Sequence, residues 1–394
     1  MTKLRASLAI FLVALISFIT YSIVNVNANK NERNINYYSL SDAVKVLPKG
    51  AEGSFDSKRT HTMSVVELNK GGYKYWAYYH GYDGKNIRND VGLAYSNDLV
   101  NWVKDSDKPV VPNLRWASSV VVDGVIQLFG TRNYGDDSYL VRLSSKDGKN
   151  FKEEETVVPP VATEKNQNGF IFYDQNQGLY RFYYYHNQNG IYFIEEKHSA
   201  DITGLAKATP IKILSDNKFI LAAPSVMYRD GRYWLAAETL HEVKGKKVWK
   251  TIMFASKYAT KGFVPVDNNE ILVDSDACYF QYIFDNKLNG FYSHESQDGT
   301  WEMYLRTHQF DDKVVISSDH SSLLLKTSQT EGIKINSENK SALKDVTDKT
   351  MFASSDNEVI SIKAGRIQGK KPGKAIITAS YQGASITIPV EVTE

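Results

Sequence analysis

Apolar and polar positions alternate with a period of two along most of the chain, and Gly, Asn or Asp interrupt them at short intervals. Such a pattern predicts strands and hairpins, hence an all-β fold. The clearest hairpin is Pro224-Ser225-Val226-Met227-Tyr228-Arg229-Asp230-Gly231-Arg232-Tyr233-Trp234, in which Asp230-Gly231 is the turn signal. It recurs. First strands are predicted at residues 62–66, 117–121, 169–172, 224–227 and 278–282. The turns after them are Lys70-Gly71-Gly72, Asp123-Gly124, Asn176-Gln177-Gly178, Asp230-Gly231 and Leu288-Asn289-Gly290. An aromatic or aliphatic second strand follows each turn.

A third marker, Ser-x-Asp-x-x-x-(large apolar), recurs at Ser96, Asp98 and Trp102, at Ser145, Asp147 and Phe151, and at Ser199, Asp201 and Leu205. A degraded copy holds Ser256 and Phe263, and the four serines are spaced 49, 54 and 57 residues apart. Units of this length with several strands each have too little apolar surface to stand alone, so they pack radially. The expectation is a five-bladed β-propeller over residues 51–328. Residues 333–394 are poor in aromatics and rich in Ser, Thr, Ala, Val and Ile, and a second domain is expected over residues 329–394. Strands at 358–362, 374–379 and 384–390 predict a small β-sandwich there.

The start of the chain breaks the pattern. Lys3 and Arg5 precede an apolar run from Ala6 to Val24, and Val26-Asn27-Ala28 supplies small residues for cleavage. Residues 1–28 therefore read as a secretory signal peptide, with an uncleaved membrane anchor as the alternative. Residues 29–50 read as a polar linker with a short helix at 41–46. Export fits a secreted or cell-surface protein of bacterial type.

Composition narrows the function. The chain has 25 Tyr, 17 Phe and 6 Trp, an aromatic content that favours β-structure. Its net charge of +2 falls to about zero without the first 28 residues, which excludes nucleic acid and anionic membranes as electrostatic partners. The single cysteine, Cys278, forbids an internal disulfide and reads as a small buried residue. No GxSxG, HExxH or P-loop motif is present, and no short-range spacing supports a metal, so no cofactor is expected.

Two resemblances follow. Residues 352–362, then Gly365-Arg366-Ile367, then residues 372–379 resemble the bacterial Ig-like group 2 module, which implies adhesion or spacing rather than chemistry. The stretch Gly92-Leu93-Ala94-Tyr95-Ser96-Asn97-Asp98-Leu99-Val100-Asn101-Trp102, the run from Pro109 to Pro112 and the hairpin at Pro224 are similar to the five-bladed propeller glycoside hydrolases of families 43, 32 and 68. That resemblance implies hydrolysis by facing carboxyl groups at the starts of first strands. The chain departs from the pattern at all three places. Thr62-Met63-Ser64-Val65 stands for Asp-Pro-Ser-Val, Asn168-Gly169 for Asp-Pro, and Ala222 for the Glu two residues before Pro224.

Candidate residues come from strand ends on one rim. Second strands end at His80, Arg132, His186, Glu238 and His294, at nearly one phase of the repeat. First-strand starts add Arg59, His61, Arg115, Trp116, Asn166, Asn168 and Asp276, with Trp116 a platform for a sugar face. Glu238 and Asp56 are the predicted catalytic pair, with Asp276 and Glu295 behind them. His61, His80, Arg115, Trp116, Arg132, Asn168, His186 and His294 are the predicted substrate contacts. Two readings stay open, a secreted glycosidase acting on an oligosaccharide or polysaccharide and a non-catalytic glycan-binding or surface-interaction propeller.

Overall fold

The computed structural model describes residues 38–85, 90–133, 137–215, 220–243, 245–272, 276–310, 315–339, 342–381 and 384–394. The expected signal segment, residues 1–28, and residues 29–37 lie outside them. No α-helix occurs among the described residues, and two compact units are formed.

The strands from Arg59 to Gln309 form five consecutive antiparallel meanders. The first is β2 (Arg59–Lys70), β3 (Tyr73–Tyr82), β4 (Asp90–Ser96) and β5 (Trp102–Lys104), after a short β1 (Val44–Leu47). The second is β6 (Arg115–Val122), β7 (Val125–Arg132), β8 (Asp137–Ser145) and β9 (Lys152–Val158). The third is β10 (Glu164–Asp174), β11 (Leu179–Gln188), β12 (Ile191–Ser199) and β13 (Ile211–Ser215). The fourth is β14 (Ile220–Arg229), β15 (Arg232–Val243), β16 (Lys246–Ser256) and β17 (Val264–Leu272). The fifth is β18 (Asp276–Phe284), β19 (Lys287–Glu295) and β20 (Trp301–Gln309).

First strands are bound to one another through small polar side chains. Ser64 Oγ and Ser119 Oγ lie 2.8 Å apart, joining β2 to β6, and Ser118 Oγ accepts the Ile171 N–H of β10 at 3.0 Å. Ser225 Oγ of β14 donates to the Tyr279 carbonyl of β18, and Tyr282 Oη of β18 reaches Ser64 Oγ at 3.2 Å. The core lies between neighbouring meanders: Trp76, Tyr78 and Leu93 pack on Ile126, Leu128 and Leu143, and Phe129 and Leu140 pack on Ile171, Phe182 and Tyr184. Burial of such aromatic pairs is what each meander lacks alone.

The Ser-x-Asp marker closes turns after third strands. Asp98 Oδ1 accepts the N–H groups of Val100 and Asn101 at 2.9 and 2.7 Å, while Ser96 Oγ accepts those of Asp98 and Leu99. Asp147 repeats the arrangement with Lys149 and Asn150. These bonds to the carboxylate hold the Asp98 pKa down to about 2. The marker is structural.

Three expectations need correction. The fifth turn is Asp285-Asn286, both left-handed (φ 49° and 53°), and Leu288-Asn289-Gly290 lies inside β19. A Cβ on Gly290 would sit 2.2 Å from the Tyr279 ring, so this glycine marks close packing and not a bend. Residues 41–46 hold no helix. Val44–Leu47 instead pairs antiparallel with β20 and supplies the fifth meander with its fourth strand, burying Val46 and Leu47. A four-residue strand carries too little periodicity to be told from a linker.

The third correction concerns the smaller unit, which begins upstream of residue 329. It includes β21 (Val315–Ser318) and β22 (Leu323–Lys326), and β22 pairs parallel with β30 (Ala384–Thr393). Its other strands are β23 (Thr330–Gly332), β24 (Ile335–Asn339), β25 (Ala342–Asp345), β26 (Met351–Ser354), β27 (Ile360–Lys363), β28 (Arg366–Gly369) and β29 (Gly373–Tyr381). Alternate residues Ala375, Ile377, Ala379, Ile388, Val390 and Val392, with Leu323 and Leu325 of the paired β22, form one apolar face that shares a core with Ile335 and Ile367 of other sheets.

Candidate functional site

A cavity of about 670 Å³ opens where the first strands begin. Its walls are set by a backbone feature repeated in every meander. Thr62, Trp116, Asn168, Ala223 and Cys278 all adopt left-handed φ, between 41° and 52°. In the first three meanders the strand register slips at this point, between His61 and Met63, Arg115 and Ser118, and Gln167 and Phe170. A bulge re-aims the side chains around it, and a non-glycine residue held there stores roughly 1–3 kcal/mol of strain. Such outliers concentrate at binding and catalytic sites. All but Thr62 and Ala223 of these five line the cavity, and the residues just before each bulge, His61, Arg115, Gln167, Ala222 and Ala277, line it as well.

The lining is aromatic and basic. Trp116, Trp249 and Trp301 contribute indoles, and Tyr82, Tyr185 and Tyr192 contribute phenols, of which Tyr185 and Tyr192 stack at 5.9 Å. His61 stands edge-on to His80 and to Trp301, at 5.7 and 5.5 Å. Burial first, and the Arg59 charge second, hold the His61 imidazole well below its usual pKa, so it is neutral at physiological pH.

Glu238 is the single carboxylate in the lining among the described residues. It is buried, and its Oε1 accepts the Cys278 N–H at 2.8 Å. Burial pushes its carboxyl up to about 7, against the bonds from Cys278 that favour the charged form. Burial and the neighbouring Glu238 raise the Cys278 thiol well above its ordinary value, so it stays protonated and is no nucleophile.

Of the predicted site residues, the cavity brings together Glu238, His61, His80, Arg115, Trp116 and Asn168, together with Arg59. It does not include Asp56. That carboxylate is 1% exposed and fully engaged: it accepts from Ser54 Oγ at 2.8 Å, Tyr79 Oη at 3.0 Å and Lys104 Nζ at 2.6 Å. Asp56 is therefore a buried structural partner, not one of two facing carboxylates.

Nor does the rim ring hold as a ring. Arg132 binds Glu153 and the carbonyls of Pro112 and Asn113. His186 sits between Glu164 and Glu195, and His294 pairs with Asp276. The reason is register. The residues facing the bulge are His80 opposite His61, Thr131 opposite Arg115, and Tyr185 opposite Gln167. Arg132 and His186 stand one place further on, and a single step along a strand turns a side chain to the other face. Asn166, Asp276 and Glu295 are likewise outside the lining.

Tyr192, Trp249 and Trp301 were not among the predicted contacts. They lie at or near the starts of third strands, with separations of 57 and 52 residues. That spacing, an aromatic at one phase of the repeat, is the signal that would have found them.

No protein-family model and no curated protein matches the chain. Solved structures do. A thermostable family-43 glycoside hydrolase superposes with a TM-score of 0.50 at 13% identity, over 73% of this chain and 92% of that one. An exo-1,5-alpha-L-arabinanase from a bovine ruminal metagenomic library gives 0.50 at 15%, over 67% and 97%. An N-acetylgalactosamine deacetylase from F. plautii, in complex with blood group B trisaccharide, gives 0.51 at 14%, over 69% and 96%. Identities this low speak to fold alone: the larger unit shares the β-propeller fold of these proteins.

Proposed function

We propose that this chain is an exported carbohydrate-binding protein, a five-bladed propeller of glycoside hydrolase type that grips a glycan without cleaving it, carried on a C-terminal Ig-like spacer. One observation carries the reading: the cavity presents three indoles and several polar groups but a single carboxylate among the described residues. Sugar rings offer apolar faces to indoles and hydroxyls to polar groups. Hydrolysis of the usual kind needs two carboxyl groups across one bond, roughly 5–9.5 Å apart. The likeness of fold to glycoside hydrolases supports a saccharide as ligand.

A second reading rests on Glu238. A buried carboxyl titrating near 7 is suited to donate a proton to a leaving group, which a hydrolase would use. A glycan array run beside a reducing-end assay on cell-wall polysaccharides separates the two. Array binding without released sugar is expected. Release of sugar that Glu238→Gln abolishes would replace the binding reading with a hydrolase. N-terminal sequencing of protein recovered from culture medium tests export, with a start at Asn29 expected and a start at Met1 opposing it.

A further inference from the structure

The same four places carry different chemistry in two of the meanders. In the first, Arg59 and His61 alternate along β2 up to the left-handed Thr62, and His80 and Tyr82 alternate along β3. In the fourth, Ile220 and Ala222 alternate along β14 up to the left-handed Ala223, and Glu238 and Leu240 alternate along β15. All eight line the cavity. Residues two apart on a strand share a face, so each pair presents one surface. The first meander's surface is basic and aromatic. The fourth meander's surface is aliphatic apart from Glu238.

That aliphatic wall has little to give a hydroxyl. Its one carboxyl group is already occupied by Cys278: Glu238 Oε1 accepts the Cys278 N–H at 2.8 Å, and Oε2 lies 3.9 Å from Cys278 Sγ. Trp249 of β16 completes the fourth meander's share of the lining, and its indole N–H only donates. Ala277 adds a further methyl from β18. A sugar hydroxyl turned toward this wall would lose its water without gaining an acceptor for its proton. A methyl group would cover the aliphatic side chains, and a carbonyl oxygen beside it would suit an indole donor. An acyl group combines the two.

We propose that the saccharide this cavity takes carries an acyl substituent, an N-acetyl or O-acetyl group, whose methyl packs on Ile220, Ala222 and Leu240. The proposal rests on the glycan-binding reading and names the ligand class within it.

The test is a binding comparison on the purified full chain with probes paired by substituent: chitotriose and cellotriose, N-acetylgalactosamine and galactose, 6-O-acetylglucose and glucose. In at least one pair the acylated member is expected to bind about tenfold more tightly or better, and the glycans retained on the array are expected to be acylated. The readout is the ratio within a pair, because any change in the lining alters affinity as a whole. Ile220→Asn and Leu240→Asn, which give the wall a polar group, should each cut that ratio to about threefold or less. Both side chains are half-buried, so neither substitution opens a core. Trp116→Ala should weaken both members of a pair by a similar factor and leave the ratio in place. An acyl preference that survives both Asn variants would overturn the assignment to the fourth meander. Equal affinity within every pair that binds, or array binding by glycans without an acyl group, would overturn the acyl and leave glycan binding standing. Absence of binding to all six probes, and to every glycan of the array, would overturn both.

Discussion

Glu238 and Cys278 are joined across two strands of different meanders: the carboxylate accepts the backbone N–H of a cysteine held at φ 51°. The bond fixes a buried acid at the cavity wall, and it ties the strained corner of the fifth meander to the fourth.

This arrangement makes stability depend on pH. Glu238 titrates near 7 in the folded chain, against 4.5 for an ordinary Glu in the unfolded one. The folded state thus holds its proton more tightly. The stability from that preference is complete below pH 4.5 and is lost as pH rises through 7, by roughly 3 kcal/mol in all. Glu238→Gln, which keeps an acceptor for Cys278, should flatten the dependence. Urea midpoints at pH 5 and pH 8 read it: a large fall in the parent chain and little change in the variant.

Asp56 should behave oppositely to a site residue. Its pair with Lys104 is buried on the carboxylate side, and removing one charge leaves the other without its partner. Asp56→Asn is expected to cost about 3 kcal/mol of stability. Glycan affinity, measured well below the new melting temperature, should stay at the parent value.

The strained corners can be relieved one at a time. Ala223 stands at φ 41° with its side chain buried, and glycine adopts that conformation without the Cβ clash. Ala223→Gly is expected to stabilise by about 1 kcal/mol, and Ala223→Val, branched at Cβ, to destabilise by about 2 kcal/mol or more. Thermal melts of the two variants should move in opposite directions.

Leu47, fully buried on β1, packs the short N-terminal strand onto the fifth meander. Leu47→Ala should cost about 3 kcal/mol, and removal of residues 38–49 should cost more. Denaturant midpoints with unchanged slope would place the effect on folded-state packing.

Much of this architecture is legible in residue order. Each predicted first strand lies within an observed one, and the turns at Gly71, Gly124, Gly178 and Gly231 fall where Asn, Asp and Gly supply positive φ. The site is less legible because repeat counting finds the height of a residue on a strand and not its face. Hairpins of unequal length let His80 face the cavity while Arg132 and His186 turn away. The corners are illegible for a different reason. Thr, Trp, Asn, Ala and Cys occupy them, and of these only Asn is at home in the left-handed region. Tertiary contacts impose the conformation, so no local signal announces it.

The pairing of β1 with β20 also orders events in time. Lys45 meets Glu302, which lies 257 positions further along the chain, so the segment that seals the fifth sheet is synthesised long before its partner exists. Loop-closure entropy makes such a contact late, and every earlier intermediate carries an open sheet edge. A chain built this way stays unsealed during translation. Its completion, and with it the protection of that edge from pairing with other chains, belongs to the time after the whole propeller has been made.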